Sequence, residues 1–215
     1  LLRSSTPHSE QPAFTIGVSR TIGEYYLPNH TSLFGKEQNI RLHLLVENTE
    51  QLSAFLYQKK IDFALISGPV KSNDFEKLPF FEDEILLICA PEHPLSGKTV
   101  DYGQLSEQHL LLREQGSGVS DTVEKYLYQE NHSLDTFHKV SRIGNIQLMK
   151  SYIKNNDGIG FLYRLSVEEE LKEGSLSIIT LKNFSMKQAY YLTYLKQSKK
   201  QRDIDAVLTT FFATS

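Results

Sequence analysis

Twice along this 215-residue chain a short apolar run leads into a helical pattern and then into another apolar run. That doubled rhythm constrains the fold more than any other feature. In the first series, Phe14–Val18 reads as a buried strand and Thr21–Lys36 as mostly helical, with a break at Pro28, which suits only the first turn of a helix. Ile40–Val46 is the second strand. Thr49–Lys60 follows as a helix with Thr49 as its N-cap and Leu52, Phe55 and Leu56 facing the core. Phe63–Ile66 is a third strand, apolar throughout as in a parallel sheet buried on both faces, and it ends in the turn Ser67-Gly68-Pro69. This order predicts a right-handed parallel α/β sheet.

After a further strand at Ile85–Ala90 the rhythm restarts. Leu110–Arg113 and Lys139–Ile143 read as strands, as does Gly158–Leu162. Helices are expected from about Ser120 to Asn131, after Gly144-Asn145, and over Ser166–Lys172. The middle one carries Ile146, Met149, Tyr152 and Ile153 on one face. Leu176–Leu181 and Tyr190–Leu195 are strands, and Asp203–Ala213 is a terminal amphipathic helix. There are too many elements here for one small sheet, so two α/β lobes are expected. Ligands of such sheets bind at the carboxyl ends of strands, where following helices offer unpaired N–H groups. Ser19, Arg20 and Thr21 follow the first strand. Ser67 and Gly68 follow the third, Ser117 and Gly118 lie between a strand and a helix of the second series, and Gly144-Asn145 repeats the device. All of these hydroxyl and amide residues also cap helices and make turns without any ligand, and Arg20 is equally at home facing solvent.

Composition removes several function classes. A net charge of −3 is not that of an electrostatic DNA binder, and the short basic cluster Lys196–Arg202 reads as a solvated approach to the last helix. The single cysteine, Cys89, excludes an internal disulfide and lies in an apolar run, as a buried inert thiol does. No apolar stretch is long enough to span a membrane. The first 13 residues are polar and proline-interrupted, like a linker remnant, and the chain reads as a cytoplasmic piece of a longer protein. The seven histidines form no metal-ligand spacing, Gly116-Ser117-Gly118 is no G-x-S-x-G elbow, and Gly158-Ile159-Gly160 lacks the third glycine of a dinucleotide fingerprint. The expectation is a protein with no enzymatic activity, no metal and no cofactor.

Phe14–Pro28, Glu47-Asn48-Thr49, Ile61–Pro69, Ala90–Leu95, Arg113–Gly118 and Gly158–Leu162 occur in this order and spacing. Together they resemble the effector-binding domain of LysR-type transcriptional regulators, from Phe14 to the terminal helix. The resemblance implies an α/β fold of two Rossmann-like subdomains joined by two crossing strands, of the periplasmic-binding-protein type II. The crossings fall near Ile85–Ala90 and Tyr190–Tyr194, so that 14–87 and 193–215 make subdomain I and 88–192 make subdomain II. It places the effector pocket at Ser19, Arg20, Thr21, Ser67, Gly68, Ser117, Gly118, Asn145 and Phe161. The family often has a small hydroxyl residue where Arg20 stands, so a more cationic or smaller pocket is expected. A homodimer, or a tetramer when full length, is implied, with DNA bound only through an N-terminal winged helix-turn-helix domain that is not in these residues.

The leading expectation is therefore a ligand sensor of a bacterial regulator that takes a small polar, anionic metabolite between its lobes. A transport-type solute-binding protein shares the fold and is the alternative.

Overall fold

Strand β1 (Ala13–Ser19) lies between β2 (Arg41–Glu47) and β3 (Phe63–Ser67), parallel to both, so three strands deliver their carboxyl ends to one edge. The computed structural model describes residues 13–30, 41–68 and 72–197. The expected terminal helix Asp203–Ala213 and the extension of the first helix to Lys36 lie outside the described residues. All five residues of β3 are buried, as its unbroken apolar run required. Helix α1 (Thr49–Tyr57) covers this sheet. Its Leu52 and Leu56 are almost wholly buried, each contributing about 1.5–3 kcal/mol of transfer free energy.

The segment after β1 departs from expectation. It makes one π-helical turn, Ile22–Tyr26, and one 3₁₀ turn, Leu27–Asn29. Pro28 has no N–H to continue a helix, and the Leu27 N–H reaches back five residues to the Ile22 carbonyl. Asn29 Nδ2 donates to the Tyr25 carbonyl, and the His30 ring nitrogen Nδ1 lies 2.8 Å from that of Tyr26, occupying two carbonyls that the broken helix leaves open.

Strand β4 (Phe75–Cys89) links the two halves of the molecule. Phe75–Glu84 pairs antiparallel with the last described strand, Ile85–Ile88 with β8 (Ile159–Tyr163), and Leu87–Cys89 with β9 (Ser177–Leu181). That last strand, β10 (Lys187–Leu195), pairs with β3 as well as β4. β4 and β10 are thus the two crossing strands. β4 begins well before the expected Ile85, through the charges and proline of Phe75–Glu84, because β10 pairs with it along that stretch. Pro79, unable to donate to a ladder, sits where the register slips by one residue against Tyr190/Tyr191.

The second lobe contains β5 (Thr99–Val100), α2 (Tyr102–Ser106), β6 (His109–Arg113), α3 (Gly118–Gln129), β7 (Lys139–Ile143), α4 (Ile146–Lys154), β8 (Ile159–Tyr163), α5 (Arg164–Glu173) and β9 (Ser177–Leu181). β6 pairs parallel with both β7 and β8. The full strand order is β2-β1-β3-β10-β4-β8-β6-β7, with β9 beside β4 and β5 beside β9. Short α2 has no counterpart in the sequence reading, although Asp101 and Gln104 form a complete capping box at its start. On α4, Ile146, Met149 and Ile153 are buried as expected, but Tyr152 is 45% exposed and the charged Lys150 is buried in its place.

Candidate functional site

The carboxyl ends of β1, β2 and β3 face the end of β6 and the start of α3. Between them lies a cavity lined by Ser19, Arg20, Thr21, Asn48, Thr49, Ser67, Arg113, Glu114, Ser117 and Gly118. Six of the nine residues singled out in the sequence are in this lining. Gly68 adjoins it, with φ at +96° and its Cα packed against the Gly118 backbone. The other two lie elsewhere. The Asn145 side chain caps α4, accepting from the Leu148 N–H at 2.8 Å, and Phe161 is buried in the core beside Phe184.

Several lining groups have structural duties. The Ser19 hydroxyl accepts the Ser67 N–H and lies 3.2 Å from the Ser67 hydroxyl, tying β1 to β3. Thr49 is not the N-cap of α1. Asn48 is, accepting from the Gln51 N–H, while the Thr49 hydroxyl donates to the Ser67 carbonyl. Ser120 donates to the Arg113 carbonyl and fixes α3 on β6. In contrast, Thr21 and Ser117 are 5% and 6% exposed and neither hydroxyl has a partner among the described residues. Ser117 stands at the N-cap of α3 without making the side-chain cap bond.

Two arginines set the electrostatics. Arg113 is 2% exposed and its guanidinium grips Glu114 through Nε and Nη2 at 3.0 and 3.2 Å. Burial lowers the Arg113 pKa, and the Glu114 carboxylate opposes that loss of charge. Arg20 pairs with Glu47 at 3.3 Å and spans the cleft to Glu114 at 3.5 Å. Its Nε is nonetheless buried with no hydrogen-bond acceptor. Arg113, Glu114, Asn48 and Thr49 were missed as site residues. Arg113 closes a predicted strand, and that position at a carboxyl end was the available signal.

The lobes touch here. The Glu50 N–H donates across the cleft to the Gly116 carbonyl at 3.1 Å, and the cavity volume is about 10 Å³, room for about one water. Roomier hollows exist elsewhere. One of about 220 Å³ runs beside Asp83 and Arg164, but its charges already satisfy each other in Arg164–Glu84 and Lys187–Glu82 pairs. The strand-end cavity keeps unpartnered donors. Cys89 is fully buried, and burial pushes its thiol up to about 11, which makes it unreactive.

Two α/β lobes joined by two crossing strands, with hydroxyls and guanidinium groups at facing strand ends, define a two-lobed ligand-binding domain of the periplasmic-binding-protein type II fold. The family described as the LysR substrate binding domain matches residues 7–213, and the chain belongs to that family. This is a family of binding domains of transcriptional regulators, not of enzymes. The chain is 28% identical over 201 residues to the HTH-type transcriptional regulator CysL of Bacillus subtilis, covering 92% of this chain and 66% of that protein. It is 29% identical over 170 residues to the HTH-type transcriptional regulator YeiE of Escherichia coli K12, covering 79% and 57%. The chain thus spans somewhat under two thirds of the length of these relatives. In fold it is similar to the regulatory domain of CcmR from Synechocystis, solved in complex with 2-PG. The TM-score is 0.79 at 22% identity, covering 94% of this chain and 98% of that one. Among the described residues no helix is long and apolar enough to cross a membrane.

Proposed function

We propose that this chain is the sensor of a LysR-type transcriptional regulator, and that it binds a small anionic metabolite between its lobes. The observation that carries this is the convergence of Arg20 and Arg113 with Thr21 and Ser117, two largely buried residues whose hydroxyls make no side-chain cap bond, at the facing strand ends. Such donors in a water-poor site favour an oxyanion over a neutral solute. Ligand bound there stabilises one arrangement of the lobes over another, and that difference is what a regulator transmits to DNA.

The whole protein acts in the cytoplasm as a dimer or tetramer and contacts its operator through an N-terminal winged helix-turn-helix domain. Subdomain I comprises 14–87 and 193–215 and subdomain II comprises 88–192. The change of partner along β4 from β10 to β8 after Glu84 supports a boundary in that neighbourhood. The transport alternative is not favoured, since the family and the relatives are those of regulators.

Thermal-shift screening of carboxylates, sulfate and phosphate against neutral metabolites tests the reading. Stabilisation by anions, weakened in S117A and in R20A, is expected. Stabilisation by neutral compounds alone overturns it.

A further inference from the structure

Glu114 is the residue that an anion site should not contain. Its carboxylate lies where two cations converge, held by Arg113 Nε and Nη2 and by the ion pair to Arg20. It is the countercharge of buried Arg113, but the rest of the site does not need it there. Arg20 already has Glu47, and the N-terminus of α3, with the free Ser117 hydroxyl, opens on the same cavity. The two-oxygen grip on Arg113 is the geometry with which a guanidinium holds a ligand's carboxylate, or two oxygens of a tetrahedral oxyanion.

Two further facts fit a resident stand-in. The Glu114 side chain is 21% exposed, against 3% for Arg113, so it has a way out to solvent that the arginine lacks. With Glu114 in place the cavity holds about one water, too little for an oxyanion, and moving this carboxylate out would make room beside the two guanidinium groups. The buried Arg20 Nε stands 3.5 Å from Glu114 Oε1 without a hydrogen bond, and a ligand oxyanion in that carboxylate's place would supply an acceptor.

We infer that Glu114 is a built-in competitor that occupies the oxyanion seat of the empty cleft, and that the ligand binds by displacing it from Arg113 and Arg20. This rests on the cleft reading above and adds a consequence. Arg20 follows β1 and Glu114 follows β6, so displacement breaks an ion pair between the lobes in the same step that fills the cleft. Binding and lobe rearrangement are then one exchange of partners.

Sulfate binding to the 215-residue chain, followed by calorimetry at constant ionic strength, tests this. Because removing Glu114 leaves Arg113 a buried, unpaired cation that an added anion re-pairs, E114A is expected to bind sulfate roughly tenfold or more tightly than wild type. E114Q, which keeps the bulk but not the charge, gains less. E47Q removes an equal charge beside Arg20 but vacates no seat on Arg113, and should change little. Adding S117A to E114A should take part of the gain back. Equal gains in E114A and E47Q would reduce the effect to net charge and overturn the competitor role. Lowered stability of E114A without tighter sulfate binding would make the pair purely structural. If E114A does not fold, absence of any gain in E114Q overturns the inference. Wild type binding sulfate as well as E114A does, with loss in S117A, leaves the cleft reading standing and the competitor refuted. No sulfate binding in any of the proteins refutes both.

Discussion

Gly68 and Gly118 meet across the cleft so closely that a Cβ on Gly68 would stand 2.7 Å from the Gly118 Cα. A methyl on Gly118 would in turn run into the carbonyl oxygen of Ser67. Backbone faces backbone, so no side-chain end can yield. G118A should therefore wedge the lobes apart at a cost of about 1–3 kcal/mol. A lower urea midpoint together with a larger radius of gyration in X-ray scattering is the expected pair of results.

Tyr25 is a second tie between the lobes. Its hydroxyl accepts from Gln147 Nε2 at 2.9 Å, and its ring lies under the Lys150 ammonium with 4.9 Å to the centroid. Y25F should lose about 0.5–1.5 kcal/mol, and Y25A should also lose a cation–π contact of about 0.5–2 kcal/mol. A double-mutant cycle of Y25A with K150M, read by urea denaturation, should return a coupling energy distinct from zero.

Lys150 and Glu170 form a buried ion pair at 2.6 Å, and the ammonium also donates to the Ser166 carbonyl. Burial works to raise the Glu170 pKa, but the hydrogen bond and charge of Lys150, with a backbone hydrogen bond and the charge of Lys154, together outweigh it and hold the carboxyl below its ordinary value. The folded pKa is thus the lower one. The pair's stabilisation is full above the unfolded carboxylate range and is lost as pH falls through the depressed value. E170Q should cost roughly 3–5 kcal/mol at neutral pH, and its penalty should shrink below about pH 4. Denaturation midpoints collected across that range give the answer.

Asp83 has the opposite sign. Burial raises its pKa, while the Tyr190 hydroxyl at 2.6 Å and the Glu84 and Leu165 N–H groups only partly offset this. With the folded pKa the higher, its contribution is greatest below the unfolded carboxylate pKa and declines as pH rises through the raised value. Y190F takes away a hydrogen bond to a charged acceptor between the two crossing strands, at about 1.5–3 kcal/mol near neutral pH. The deficit should narrow in acid, where Asp83 is neutral. A deficit independent of pH would show that the carboxylate charge is not what Tyr190 serves.

The order of elements was legible because periodicity is a local property. β1, β3 and β6 read directly from their apolar runs, and the strand-end positions of Ser19, Thr21, Ser67 and Ser117 followed from them. Where tertiary neighbours set the outcome, the local signal failed. Phe75–Glu84 extends as a strand because β10 supplies its ladder, despite Pro79 and its charges. Lys150 goes inside and Tyr152 outside because Glu170 waits on α5 to pair the ammonium. Asn145 and Phe161 stand outside the cavity lining, one capping its own helix and the other packed in the core.

The sequence by itself determined that strands would bring hydroxyls and a cation to their carboxyl ends, because alternation and turn residues act over a few neighbours. Only the tertiary structure decided that Arg113 joins Arg20, that Glu114 sits between them, and that the lobes close to the room of a water molecule. Those are distances between segments far apart in the chain. Charge pairing and desolvation across such distances depend on which side chains the fold brings together, and no local pattern records that.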